Sequence, residues 1–112
     1  MGTSGQNIKS IREYSSWSDP IDIMRKTLEW LHIAPTTPDT LLSYPFTETD
    51  PFVITQYPDV YFVGNQKEFS TGTFDAPNRK KVILISVPVF ETKMICVLVN
   101  LRSFNCEIIA LN

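Results

Sequence analysis

Two nearly continuous apolar runs, Val82 to Val87 and Met94 to Leu101, constrain the fold of this chain more than any other feature. Both are rich in β-branched residues and neither alternates apolar with polar, so each reads as a strand covered on both faces. A sheet of such strands needs a layer packed on each side. The chain has residues for one good helix and one short one, which is too little cover. The pattern therefore predicts an α/β domain of which this sequence is a part. Its 112 residues, 43% apolar and 20% charged, suffice for one globular core and not for two ordinary ones.

The good helix opens at Asp19-Pro20. Asp suits the N-cap because its carboxylate accepts from free amides of the first turn, and Pro suits the first helical position, where an N–H would have no partner. Ile21, Met24, Leu28 and Leu31 then recur at helical spacing, with Asp22, Arg25, Lys26 and Glu29 largely outside that stripe. Pro35 disfavours helical geometry at Ala34 and ends the element before it. Upstream, Gly2 to Asn7 reads as a turn cluster, and Ile8 and Ile11 begin a short helix that dies at Ser15-Ser16. Downstream, Ala34 to Tyr57 carries Pro35, Pro38, Pro45 and Pro51, yet also Leu41, Leu42, Tyr44, Phe46, Phe52, Val53 and Ile54. That composition predicts an irregular segment that packs; so long a loop inside a compact domain is a mark of function or of a surface covered by another element.

Val60 to Val63 favour a pleated surface after Pro58, and Gly64 permits φ > 0, so this strand is expected to stop at a Gly64-Asn65 turn. Phe69 to Phe74 reads as a short strand, Asp75-Ala76-Pro77-Asn78 as a turn, and Pro88 to Thr92 as a hairpin-length connection between the two apolar runs. Arg102-Ser103 turns the chain into a last strand near Cys106 to Leu111. The expectation is one good helix followed by about five strands, the late neighbours antiparallel. With Arg102-Ser103 as the turn, Val99 opposes Cys106 and Cys96 opposes Ile109, which puts the two thiols on opposite faces as free, buried cysteines.

A formal net charge of −2 offers nucleic acid no general attraction. Two cysteines without dense spacing are not a secreted disulfide framework, and no run approaches the roughly 20 apolar residues of a membrane span. The first residues lack the basic and apolar regions of a secretory signal, so an intracellular, reducing compartment is expected. Gly2 to Asn7 has neither the spacing nor the Lys of a phosphate-binding loop.

His32 is the only histidine and falls at a helix C-terminus, where an imidazole interacts favourably with the helix dipole. Asp39, Glu48, Asp50 and Asp59 sit in or beside loops and read as turn residues, although paired carboxylates can also do acid–base work. Arg79-Lys80-Lys81 is the only basic run: a solvated strand entry that blunts an edge, or a weak phosphate contact. No catalytic residue, metal ligand set or cofactor site is assigned from these residues.

Four segments in order resemble the small (B) subunit of eukaryotic DNA polymerase delta. They are Gly2-Thr3-Ser4-Gly5-Gln6-Asn7-Ile8; Ala34 to Leu41 running into Tyr44-Pro45-Phe46 and Thr49-Asp50-Pro51-Phe52; Asp59 to Gln66 with Phe69 following; and Leu98 to Ser103. The resemblance implies the C-terminal part of a calcineurin-like phosphodiesterase domain, an αββα sandwich. It implies that residues 1–112 lack that family's oligonucleotide-binding barrel and the first half of the phosphodiesterase domain, as a fragment or short form would. In related archaeal small subunits, which are active metal-dependent nucleases, the strand matching Val60 to Gly64 ends in Gly-His-x-His. Here the two histidine positions fall on Asn65 and Lys67. Asn is a weak neutral ligand and a protonated Lys cannot ligate, so the resemblance implies an inactivated site.

By the same resemblance, the expected role is non-catalytic: an accessory, scaffolding subunit in nuclear DNA replication and repair synthesis. The implied partners are the C-terminal region of the catalytic polymerase subunit and a further accessory subunit, with DNA at most indirect and no membrane. Tyr44, Phe46, Phe52 and Tyr57 either line a protein interface or close the phosphodiesterase fold itself. Two alternatives are an active metal-dependent phosphodiesterase or nuclease, and an autonomous protein-binding module.

Overall fold

In the computed structural model, which describes residues 1–111, the elements in chain order are β1 (Gly2–Thr3), α1 (Gln6–Glu13), α2 (Pro20–Glu29), β2 (Val60–Gln66), β3 (Ser70–Asp75), β4 (Lys81–Pro88), α3 (Phe90–Lys93), β5 (Ile95–Val99) and β6 (Cys106–Ala110). The class is α/β, as the sequence predicts. Helix α2 starts as expected: Asp19 accepts from the Ile21 amide at 3.0 Å and Pro20 opens the first turn. It ends two residues sooner than the apolar stripe suggests. Leu31 turns left-handed (φ 56), its amide reaches the Leu28 carbonyl, and the His32 amide reaches that of Thr27, the paired bonds of a Schellman motif. Leu31 is therefore outside the helix and 39% exposed, while Ile23 and Thr27 join Ile21, Met24 and Leu28 on the buried face. That face is wide because α2 packs against both the sheet and α1.

Strands β1, β2 and β4 run parallel, and β3 closes the sheet antiparallel to β4, in the order β1-β2-β4-β3. Gly2 and Thr3, expected in a turn, pair with Phe62 and Val63 instead. A two-residue strand is held by backbone bonds and leaves no side-chain period to read. Strand β2 does not stop at Gly64 either. It continues to Gln66 through a register shift, and the positive φ falls on Asn65 (φ 56), a residue that tolerates this conformation, not on Gly64.

Helices α1 and α2 lie on one face of this sheet. Between them and the strands sit Ile8, Ile11, Ile21, Ile23, Met24, Leu28, Ile54, Tyr61, Val63, Val82 and Leu84, most of them fully buried. Each buried Ile or Leu contributes about 1.5–3 kcal/mol relative to exposure. The Tyr61 hydroxyl meets Thr27 Oγ1 at 3.3 Å in this core, and burial pushes its ionisation above the ordinary tyrosine value. On the opposite face of the sheet, Phe62 is 46% exposed and Ile83 and Val87 are half-buried.

The expected hairpin between the two apolar runs does not form. Strand β4 already has β2 on one side and β3 on the other, so no edge is free for β5. The Val89 amide bonds the Gln66 carbonyl, α3 makes a single turn, and β5 pairs with β6 in a separate two-stranded sheet. Its register is the expected one, Val99 opposite Cys106 and Cys96 opposite Ile109. The run expected to be covered on both faces is a shorter strand, Ile95–Val99, whose Cys96 and Leu98 face outward because nothing here packs on that side. The thiols are free, as expected, but not buried: Cys96 is exposed and Cys106 partly buried.

Candidate functional site

In parallel α/β sheets, ligand sites gather where strands end and loops converge at their carboxyl ends. Here β1 runs into Ser4-Gly5, β2 into Asn65-Gln66 and β4 into Val89. Gly5 must be glycine: its φ is +98, and a Cβ there would collide with the Gly64 carbonyl. This close approach lets the Asn65 amide donate to the Ser4 carbonyl at 2.9 Å. The register shift also changes which side chain points inward: Tyr61, Val63 and then Gln66 are buried, leaving Asn65 and Lys67 exposed. Gln66 Nε2 donates to the Gly64 carbonyl at 2.9 Å, and Arg12 Nη2 donates to Gln66 Oε1 at 3.2 Å. Asn7, also buried, accepts from Thr3 Oγ1 (2.9 Å) and donates to the Ile33 carbonyl (2.6 Å).

The surrounding cleft, about 860 Å³, is lined by Arg12, Asn65, Gln66, Lys67 and Lys93 among others. Lys93 is paired with Glu68 at 3.2 Å. Among the described residues no group of three or more His, Cys, Asp or Glu is placed to hold a metal ion. The polar side chains at these strand ends lock loops to one another; chemically they offer amides and cations. Sequence reading did not single out Asn7, Arg12 or Gln66. The signal for Gln66 was the Gly-Asn step itself, which reverses the inside–outside alternation for the residue after it.

The aromatic residues separate into two places. Tyr44, Phe46 and Phe52 form a ladder with centroids 5.0 and 6.3 Å apart on the surface of the long loop, and His32 continues it 6.3 Å from Phe52. Tyr57 lies elsewhere, packed on Phe74 beside the core. The loop packs at its base, where Ala34 and Ile54 are buried and His32 pairs with Val53, but Leu42 and Tyr44 are exposed. His32 lies beyond the end of α2 and holds the loop, whereas the sequence suggested a role at the helix dipole. The Ala34 amide donates to its Nδ1 (3.1 Å), so the proton sits on Nε2, which donates to Asp50 Oδ2 at 2.7 Å. Asp50 also accepts from the Phe52 amide at 2.9 Å. The His32 bond, then the Phe52 bond, hold its carboxyl below the ordinary aspartate value.

The basic run lies at the β3–β4 turn. Arg79 takes a left-handed conformation (φ 66) and is exposed. Lys80 donates to the Tyr57 carbonyl at 2.8 Å and pairs with Asp59 at 3.2 Å, and Lys81 sits opposite Asp75 in the ladder.

Residues 1–71 match the family of DNA polymerase alpha/epsilon B subunits, and the chain belongs to that family. Along nearly its whole length it is similar to curated proteins named for DNA polymerase delta. It is 42% identical over 107 residues to the DNA polymerase delta small subunit of Oryza sativa subsp. japonica, covering 96% of this chain and 25% of that protein. It is 45% identical over 107 residues to the Arabidopsis thaliana small subunit, covering 96% and 24%. It is 37% identical over 109 residues to DNA polymerase delta subunit 2 of Drosophila melanogaster, covering 97% and 25%. The chain thus spans about a quarter of the length of these relatives.

Proposed function

We propose that this chain acts as a non-catalytic accessory segment of DNA polymerase delta, holding the catalytic subunit's C-terminal region and a further accessory subunit during nuclear replication and repair synthesis. The observation that carries the reading is the β1–β2 loop contact. At the position where active relatives are expected to keep a metal-binding histidine, Asn65 spends its amide on the Ser4 carbonyl. Two residues on, Lys67 brings a positive charge to the same rim. Amide and ammonium groups bind cations poorly, so the loops favour support over hydrolysis. The similarity to delta small subunits supplies the polymerase context, and DNA then acts on this segment only through the assembly.

The half-covered sheet supports a second part of this reading: residues 1–112 are the C-terminal portion of a longer phosphodiesterase-like domain whose earlier half covers Phe62, Ile83 and Val87. Tyr44, Phe46 and Phe52 are the interface residues on this view, while Tyr57 packs on Phe74 beside the core. Arg79 and Lys81 are the members of the basic run left for a weak phosphate contact, Lys80 being tied to Asp59 and Tyr57.

Co-expression with the C-terminal region of a polymerase delta catalytic subunit tests the role. Co-purification through size exclusion is expected. Manganese-dependent cleavage of a single-stranded oligonucleotide that Asn65→Ala abolishes would overturn it.

A further inference from the structure

The tip of the long loop encloses a cleft of about 400 Å³ whose walls include Tyr44, Phe46, Phe52, Glu48 and Asp50. No lysine or arginine occurs anywhere between Ile33 and Gln66, so no cation of this segment competes for those carboxylates. Tyr44 is 75% exposed and Phe46 51% exposed, leaving their ring surfaces open. Glu48 has no ion-pair partner among the described residues. Asp50 is held in place by its bonds to the His32 ring and the Phe52 amide. The same chain already sets a cation over a ring elsewhere, Lys26 Nζ lying 5.7 Å from the Trp17 centroid.

Aromatic faces attract cations through the ring quadrupole, and an adjacent carboxylate adds charge attraction. A guanidinium suits such a place best, because it is flat, weakly hydrated and able to stack while its edge donates to a carboxylate. Aromatic rings also stack nucleic-acid bases, but single-strand sites combine that stacking with a basic groove, and here the charge is of the wrong sign.

We propose that this cleft binds an arginine side chain of a protein partner, stacked on the Tyr44–Phe46 rings and paired with Glu48. The proposal rests on the reading of this loop as a protein interface and names the chemistry that it recognises.

The full chain, labelled with nitrogen-15, is titrated with N-acetyl-arginine amide and followed by amide chemical shifts. Saturable shifts confined to the Thr37–Pro38 wall and the Ser43 to Phe52 segment are expected. N-acetyl-citrulline amide, which has the same shape without the charge, should bind about tenfold more weakly, and Glu48→Gln about threefold more weakly than wild type. Phe46→Ala should lose most of the response while leaving the core amides unmoved, since both side chains are on the surface. Equal binding of the citrulline compound, an unaltered Glu48→Gln response, or shifts of the same amides by a short oligothymidylate would each overturn the proposal. Failure of the wild-type chain to co-purify with a polymerase subunit would instead count against the accessory role, and leaves this titration standing.

Discussion

Strands β4 and β5 come from two runs that look alike in sequence, and they meet different fates. Val82 and Leu84 in β4 are completely buried and Ile85 is 1% exposed, whereas Leu98 in β5 is 52% exposed. Strand β4 sits between two neighbours under a helical layer; β5 has one partner and an open outer face. The difference teaches that an uninterrupted apolar run records a demand for cover and says nothing about which chain supplies it. In β4 the helical layer meets the demand on one face, where Val82 and Leu84 are buried, and leaves Ile83 and Val87 half-buried on the other. In β5, in Phe62 and along the Tyr44–Phe52 ladder, it is left open at the surface.

That contrast can be broken most directly in the two strands themselves. Leu84→Ala is expected to cost about 3 kcal/mol, a cavity in a packed core, while Leu98→Ala should change stability by less than about 0.5 kcal/mol. Urea denaturation of both variants checks this, and similar costs would mean that β5 is as well covered as β4. If a bound partner covers β5, the Leu98→Ala penalty should grow in the complex.

Next in size is the glycine pair at the carboxyl ends of β1 and β2. Gly5→Ala should cost about 2 kcal/mol, from strained φ and the collision with the Gly64 carbonyl, whereas Gly64→Ala should lie within about 0.5 kcal/mol of wild type. Thermal melts of the two variants sharpen where the close approach lies. Within the packed half, Asp19→Ala should cost about 1 kcal/mol through loss of the α2 cap, read by the same melts.

The smallest effect belongs to the open half. The Asp50 carboxyl is depressed in the folded chain, so its clasp on His32 and Phe52 contributes fully above the ordinary aspartate value and is lost as pH falls through the lowered one. The Phe52 amide resonance should move with that acid titration while Leu84 stays fixed. Asp50→Asn should remove the titration from the Phe52 signal, and its persistence in that variant would assign the clasp elsewhere.

Local features were legible in the chain because each depends on a few adjacent residues. Asp19-Pro20 announces its own cap, and counting outward from Arg102-Ser103 puts Cys96 opposite Ile109, because a hairpin's register follows from its turn. The exposure of Asn65 was less legible. Facing alternates only while the ladder is regular, and the shift between Val63 and Gln66 turned Gln66 inward. The separation of Tyr57 from Tyr44, Phe46 and Phe52 carried no sequence signal, since a proline-rich segment has no period that fixes which side chains share a surface.

By itself, then, the sequence determined the helix start, the free thiols and their opposite faces, and the amide and lysine that follow Gly64. Tertiary structure alone decided that Gly2-Thr3 joins the sheet, that β5 does not pair with β4, and that the left-handed residue is Asn65. The physical reason is that caps and hairpins are governed by bonds between near neighbours. Strand order and open faces depend instead on which edges and apolar surfaces remain unfilled once the rest of the chain has packed.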